Sequence, residues 1–267
     1  MSVIEKPLQG LQLLGHSAGA AVRHLRYAAE YGRLAPRPYE LIHVDPAAVE
    51  YCTLPSLQAQ FDLSKYGSHV VDGEWDRRDV YDDVWYTREF ATPVRARFED
   101  HALYRAMEAH FEEGVPWVET DWYRWVLDHQ KTVGQYPDEA RMRERFQQVD
   151  TLYEHVRTKG YRTQRQLSQR QSEDIPLYSR PLPYPEHYEV DVNIGRSGDL
   201  LFNFNGRHRL AVAKLLSLDS IPVRVFARHE AWQQRRRRAA RRAPGSDAAD
   251  HPDLPPHSAG RVAPGPI

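Results

Sequence analysis

The stretch FNFNGRHRL at residues 202–210 leads from a strand through a tight turn into a helix. Asn205 is a good N-cap, and Gly206 lets a ligand approach the backbone. The first turn of the helix presents backbone N–H groups at the positive end of its dipole, which favours anions. Arg207, His208 and Arg209 oppose that dipole at a cost of about a few tenths of a kcal/mol, so a bound anion would account for them. The turn predicts a phosphate site; the alternative is a capped amphipathic helix with solvated basic residues.

Regular elements are predicted on both sides of this turn. Residues 188–194 and 200–204 predict a hairpin, and a strand at 221–226 and a helix over 228–242 follow a helix at 207–217. Upstream, apolar spacing predicts helices over 18–31, 98–113, 120–130 and 137–159, the last ending at Gly160. Residues 41–46 predict a short strand and a turn. We expect an ordered loop region with short strands over 61–90 and a long irregular connection over 161–185.

The composition excludes several classes of protein. The chain has 267 residues, of which 41% are hydrophobic and 27% charged, which is typical of a folded protein. No apolar run approaches the roughly 18–20 residues of a membrane span. Residues 1–15 lack the pattern of a secretory signal. A single cysteine, Cys52, excludes an internal disulfide framework. We therefore expect a cytoplasmic protein without a membrane partner; its oligomeric state is left open.

Several motifs resemble the core of the ParB/sulfiredoxin-like fold. They are the hairpin around Gly195 and Gly198, the turn at 205–209, the helix at 211–216 and the strand at 221–223. Residues 152–157 with Gly160 resemble the helix that starts such domains, so the resemblance covers roughly residues 140–230. The motifs at 44–46 (VDP) and 73–76 (GEWD) extend it to a group of uncharacterised prokaryotic proteins, which implies no activity.

The superfamily implies several activities, and the chain departs from each. Sulfiredoxins have a catalytic cysteine where Arg207 stands, so thiol chemistry is excluded here. ParB proteins bind CTP through a turn with glutamate at this position, and they continue into a DNA-reading domain for which no room follows. The free-serine-kinase branch has Asp-Gly-His-His-Arg, which Gly206, His208 and Arg209 match but Asn205 and Arg207 do not.

The sequence predicts an α+β fold with four regions. Residues 1–135 form a mostly helical N-terminal region with an aromatic and acidic loop. Residues 136–232 form the ParB/sulfiredoxin-like domain, a small mixed sheet with helices. Residues 233–242 form a basic helix end, and 243–267, poor in large apolar residues, form a disordered tail.

The predicted function is nucleotide binding through phosphate, with ATP, ADP or CTP and Mg²⁺ as cofactors. The residues predicted to hold phosphate are Asn205, Gly206, Arg207, His208 and Arg209. A sharper version is a kinase-like phosphotransferase acting on an unknown small hydroxylated acceptor, in which Arg209 neutralises the transferred charge. The residues predicted as catalytic are Glu189, Asp191 and His208, where either carboxylate is the base that the kinase branch implies. Each carboxylate is equally compatible with a surface position on its strand.

A non-catalytic module that binds DNA or another partner is the alternative function. Its basis is a run of four arginines, Arg235, Arg236, Arg237 and Arg238, although such a run also suits a solvated helix end. The acidic residues of 72–83 suit either a cation or a solvated loop. Trp75 among them is expected to pack inward and hold that loop in place.

Overall fold

One mixed sheet organises the chain in the computed structural model. The structure describes residues 5–77, 80–81, 94–129, 138–169, 184–241 and 251–254. The strands are β1 (Leu41–Val44), β2 (Tyr51–Leu54), β3 (His69–Val71), β4 (Val80–Tyr81), β5 (Val94–Arg97), β6 (Val190–Ile194), β7 (Leu200–Phe202) and β8 (Ile221–His229).

The strand order is β1-β8-β6-β7-β2-β5-β4, and β3 also pairs with β8. Strand β8 is long enough to have two partners on one side: its first half pairs antiparallel with β1, and its last three residues pair parallel with β3. Strands β6 and β7 form the predicted antiparallel hairpin, and β6 runs parallel to β8 on the other side. The hairpin and the strand that follows it are therefore confirmed, with β8 longer than expected.

Five of the described helices lie close to where their local signals placed them, but the first begins thirteen residues earlier than predicted, and the helices at Leu57–Phe61 and Gln164–Gln169 were not predicted. The second of these lies in the stretch 161–185, which the sequence predicted to be irregular. The described helices are α1 (Glu5–Tyr31), α2 (Leu57–Phe61), α3 (Ala102–Glu112), α4 (Asp121–Asp128), α5 (Glu139–Lys159), α6 (Gln164–Gln169), α7 (Arg207–Leu215) and α8 (Glu230–Ala239). Helix α5 begins where the Asp138 carboxylate accepts from Arg141 N at 2.8 Å and ends at Gly160, whose φ is +76°. Among the described residues, no helix has the length and apolarity to cross a membrane.

The two faces of the sheet are buried for different reasons. Val190, Val192 and Ile194 of β6 point to one face, where they pack with α3, α4, α5 and α7 in the main core. Because side chains alternate along a strand, Asp191 and Asn193 point to the other face, and they too are fully buried. The second face therefore encloses polar and charged side chains, which need partners inside the fold.

The region before residue 135 contributes more to the sheet than the sequence predicted. Strands β1 to β5 all lie in it and share one sheet with β6, β7 and β8. This differs from a mostly helical region beside a separate small domain at 136–232. Residues 51–54 and 94–97 form strands that the sequence did not predict. The α+β class is confirmed.

Candidate functional site

The turn before α7 brings the helix N-terminus against the start of β6. Gly206 is the N-cap, with φ of +85° in the left-handed region. A Cβ on Gly206 would lie 2.7 Å from Val190 Cα, so only glycine allows this approach. Asn205 Nδ2 instead donates to Asp191 Oδ2 at 3.0 Å and to the His187 carbonyl at 3.3 Å. The predicted N-cap role of Asn205 is therefore wrong, and its amide ties the turn to β6.

This turn lines a cavity of about 480 Å³. Small-molecule sites typically have volumes of about 300–1,000 Å³. The other walls come from the β2–α2 connection, the end of β7, the start of α3 and the middle of α5. The lining residues are Leu54, Pro55, Ser56, Ala59, His101, Arg145, Tyr188, Phe202, Asn203, Phe204, Asn205, Gly206, Arg207, His208 and Arg209.

Basic side chains gather on one wall of this cavity. They are His101, Arg145, Arg207 and His208, of which the first three lie close enough to act on the charge of His208. Arg209 also lines the cavity, and the described lining includes no aspartate or glutamate. His101 caps α3, because its Nδ1 accepts from Leu103 N at 3.0 Å. A neutral imidazole that accepts at Nδ1 carries its proton on Nε2, where it is a donor.

The two histidines of the wall are neutral near pH 7. Burial lowers the pKa of His208 well below its usual value, and Arg207, Arg145 and His101 lower it further. Burial likewise lowers the pKa of His101, with a further contribution from Arg207. The charged neighbours that the structure describes around these two imidazoles are basic, and basic groups favour an anion as ligand.

Arg209 is part of the buried scaffold as well as of the cavity wall. Its Nη1 donates to Glu189 Oε2 at 2.5 Å, and both side chains are buried. The guanidinium also donates to the Arg162 carbonyl and lies 4.4 Å from the centre of the Tyr161 ring. These contacts hold the Arg209 guanidinium in the protein interior. Its predicted role in neutralising a transferred phosphate therefore has no support in its geometry.

Glu189 and Asp191 are fully buried, and neither lines the cavity. The remaining oxygen of Glu189 accepts from Gln164 N at 2.5 Å. Arg224 donates two hydrogen bonds to Asp191, from Nε to Oδ1 at 2.6 Å and from Nη2 to Oδ2 at 2.7 Å. Burial raises the pKa of both carboxyls, to about 6 for Asp191, although the paired arginines oppose the rise. A general base must reach the proton that it accepts, and neither carboxylate lines the cavity, so this geometry gives no support to the predicted catalytic role of either.

A third buried ion pair holds residues from the predicted tail. Arg228, on β8, donates to Asp253 through Nε at 3.0 Å and Nη2 at 2.5 Å, and Nη2 also donates to Glu40 Oε2 at 2.8 Å. Trp232 Nε1 donates to the Asp253 carboxylate at 2.8 Å. Residues 251–254 are thus ordered, which corrects the prediction of a disordered tail over 243–267 for these four positions. The other positions of that tail lie outside the described residues.

The basic run on α8 makes contacts within the chain. Arg236 is buried and donates to the Asp253 carbonyl at 2.8 Å. Arg235 donates to the Ser197 carbonyl at 3.2 Å, and Arg237 lies 5.8 Å from the centre of the Tyr31 ring. Arg238 is exposed. The run therefore does not form one continuous basic face.

The acidic loop is anchored by its buried members. Trp75 is 1% exposed and donates to the Val71 carbonyl, so the prediction that it packs inward is confirmed. Asp76 is 3% exposed and accepts from Arg196 Nη2 at 2.7 Å, which fastens the loop to the β6–β7 turn. Within the ranges that the structure describes, no group of three or more His, Cys, Asp or Glu side chains is arranged to hold a metal. Asp79, Asp82 and Asp83 of this loop lie outside the described residues.

The sequence identified the turn but missed two members of the wall. His101 lies inside the helix that was predicted from residue 98, and Arg145 is one of many basic residues on α5. No local motif links either residue to the turn, so only the packing of α3 and α5 against α7 reveals them. No family model, curated protein or solved structure was found to match the chain.

Proposed function

We propose that the cavity beside the 205–209 turn binds the phosphate group of a nucleotide. The observation that carries this proposal is the basic wall, on which Arg145 and Arg207 accompany two buried imidazoles without a carboxylate in the described lining. The N-terminus of α7 forms part of the same wall, and its dipole favours an anion. Arginine is well suited to phosphate because its planar donors match two oxygens at once.

Only some of the residues that the sequence predicted to hold phosphate are kept as proposed contacts. Arg207, the Gly206 backbone and His208 remain proposed binding groups, joined by Arg145 and His101. Asn205 and Arg209 support the shape of the turn through their bonds to β6 and to Glu189. The ParB/sulfiredoxin-like arrangement of β6, β7, α7 and β8 is part of the same proposal, supported by the hairpin, the turn and the parallel β6–β8 pair.

The proposal is for binding, and a phosphotransferase activity receives less support from the geometry. Such an activity needs a base at the acceptor hydroxyl, whereas Glu189 and Asp191 are enclosed by their arginine partners. DNA binding through α8 is the other alternative, and three of its four arginines contact the protein instead. Both alternatives are outcomes of the test.

A thermal-shift panel with ATP, ADP, CTP, GTP and pyrophosphate, each with and without Mg²⁺, tests this proposal. A ligand at 100 times its dissociation constant adds about 2.7 kcal/mol to the free energy of unfolding. For a chain of this size, that gain raises the melting temperature by roughly 5–10 °C. We expect stabilisation by at least one of these ligands.

Paired variants show whether the cavity is the binding site. We expect the stabilisation to be lost in Arg145→Gln and in Arg207→Gln but kept in Arg141→Gln, because Arg141 is an exposed arginine of the same helix as Arg145. Stabilisation that survives both cavity substitutions would contradict the proposal. A salt-dependent gel shift that is lost on removing the α8 arginines would favour DNA binding instead.

A further inference from the structure

Segment 251–254 is held by the rest of the chain in the way that a protein holds a peptide ligand. It forms a turn of its own, in which Leu254 N donates to the His251 carbonyl at 2.9 Å. Among the described residues, no backbone-to-backbone hydrogen bond joins this segment to a strand or a helix. Side chains of β8 and α8 bind it instead, and the capture of an acidic motif by arginines is a common form of peptide recognition.

Three side chains donate to Asp253 of this segment. Arg228 donates to the carboxylate through Nε at 3.0 Å and Nη2 at 2.5 Å, and Trp232 Nε1 donates to it at 2.8 Å. Arg236 Nε donates to the Asp253 carbonyl at 2.8 Å and lies 3.2 Å from Oδ2. All three donor side chains are buried. Because two guanidinium groups and an indole N–H converge on one point, the site selects a carboxylate.

The turn between β6 and β7 fixes the other end of the segment. His251 Nε2 donates to the Gly198 carbonyl at 3.0 Å, and His251 Nδ1 accepts from Asp253 N at 3.0 Å. The imidazole packs on Trp232, with 4.5 Å between the ring centroids. A Cβ on Gly198, whose φ is +103°, would lie 2.7 Å from Trp232 Cζ3. Glycine at this position therefore gives Trp232 the room that it needs to meet the segment.

The walls of this site belong to parts of the fold that pack without the segment. Arg228 lies on β8, which pairs with β1, β3 and β6, and Trp232 belongs to the main core. Glu40 Oε2 accepts from Arg228 Nη2 at 2.8 Å, so Arg228 keeps one described carboxylate when Asp253 leaves. The stretches 242–250 and 255–267 on either side of the segment are rich in proline, glycine and alanine, a composition typical of linkers. The site is therefore formed by the sheet and α8, and the segment is an added ligand.

We propose that Arg228, Trp232 and Arg236 form a binding site for a short acidic peptide turn, which segment 251–254 occupies as an internal ligand. An aspartate-bearing turn of another chain is the class of partner that fits the same groups when the segment leaves. In the described lining of the cavity beside the 205–209 turn, none of these three residues occurs, so this inference does not rest on nucleotide binding.

The covalent connection explains how the internal ligand stays bound. Residues 242–250 tether it to α8, and a short tether corresponds to an effective concentration on the order of mM. A free peptide at micromolar concentration therefore competes with the segment only after the tether is cut or the carboxylate of the segment is lost.

Cutting the tether of the full chain tests whether the segment behaves as a ligand. A protease site is inserted between Ser246 and Asp247, and the purified chain is cleaved after it has folded. We expect the released fragment to be retained with the rest of the chain in ultrafiltration at micromolar protein. An excess of a peptide of residues 248–257 should displace it. The same peptide with asparagine in place of Asp253 should be at least about tenfold less effective, because it lacks the charge that both arginines bind.

Two arginine variants of the cleavable chain locate the site. Arg236→Gln should lose the fragment on cleavage, because the substitution removes a donor to Asp253. Arg238→Gln is the matched control and should retain it, because Arg238 is exposed on the same helix. Circular dichroism before cleavage checks that each variant is folded.

The uncut chain provides a second measurement by isothermal titration calorimetry. The peptide of residues 248–257 should bind the full-length Asp253→Asn variant at least about tenfold more tightly than it binds the natural chain, whose own segment occupies the site. Loss of the fragment from the natural sequence on cleavage would overturn the inference. Equal displacement by the aspartate and asparagine peptides, or equal affinity of the peptide for the variant and the natural chain, would also overturn it.

Discussion

Replacing Arg209 with methionine should destabilise the protein far more than its place in a basic turn suggests. Arg209 donates to the carboxylate of Glu189 at 2.5 Å, and both side chains are almost completely buried. Among the described residues, the substitution leaves Glu189 with the Gln164 N–H as its donor, and it removes the donor to the Arg162 carbonyl. Removing one member of a buried ion pair costs about 3–5 kcal/mol, because the remaining charge is uncompensated.

Urea unfolding followed by circular dichroism measures this cost. With a slope on the order of 3 kcal/mol per M, the unfolding midpoint of Arg209→Met should fall by about 1 M or more. Adding Glu189→Gln removes the stranded charge but keeps the acceptor for Gln164 N, so the double variant should recover at least half of the loss. Arg157→Met is the control, since Arg157 pairs with Glu154 on the solvent side of α5 and its loss should leave the midpoint unchanged.

The ligand response of these variants decides between a structural and a binding role for Arg209. We expect the double variant to retain the nucleotide response of the natural chain, measured by thermal shift. A midpoint for Arg209→Met equal to that of Arg157→Met, or no recovery on adding Glu189→Gln, would refute the reasoning from a buried uncompensated charge. A folded double variant that has lost the response would place Arg209 among the ligand contacts, as the sequence predicted.

Two further predictions concern the other buried groups. Asp253→Asn should lower the free energy of unfolding by about 3 kcal/mol in urea unfolding, because Arg228 loses the buried one of its two carboxylate partners and keeps only the partly exposed Glu40 among those the structure describes; equal midpoints for it and for Asp219→Asn, an exposed control, would count against this. Stability should also decline as the pH falls below about 6.5. Burial holds the pKa of His101 and His208 down in the folded protein, so the unfolded chain binds more protons there, and each histidine contributes up to about 1.4 kcal/mol per pH unit. In His208→Asn, the urea midpoint should change less between pH 7.5 and 5.5 than it does in the natural chain. An unchanged pH dependence of the midpoint would contradict the assignment of this effect to His208.

Helices with strong local signals were predictable from the sequence. Helix α5 has an acidic cap, a regular apolar stripe and a glycine after its last turn, and each of these signals acts within a few residues. The β6–β7 hairpin was predictable for the same reason. Strands β2 and β5 were not, because they gain their stability from pairing with segments that are far away in the sequence.

The buried ion pair of Asp253 was likewise not predictable from the sequence. Asp253 lies in a stretch rich in proline and small residues, which by composition predicts disorder. Its order comes from Arg228, Arg236 and Trp232, which lie 25, 17 and 21 residues before it in the chain. Amino-acid composition cannot predict such pairings, because it does not show which residues are close together in the folded chain.

The sequence by itself determined the α+β class, the hairpin, the helix α7 and the glycine turn that opens it. Only the tertiary structure decided which basic residue of that turn is held in a buried ion pair. Successive helical residues are rotated by about 100°, so Arg207 and Arg209 point to nearly opposite sides of α7. Packing on β6 encloses Arg209 with Glu189, whereas Arg207 joins Arg145 and His101 from two other helices at the cavity. Burial and charge pairing depend on which distant segments meet, so the local pattern could not show which residues of other helices line the cavity beside the turn.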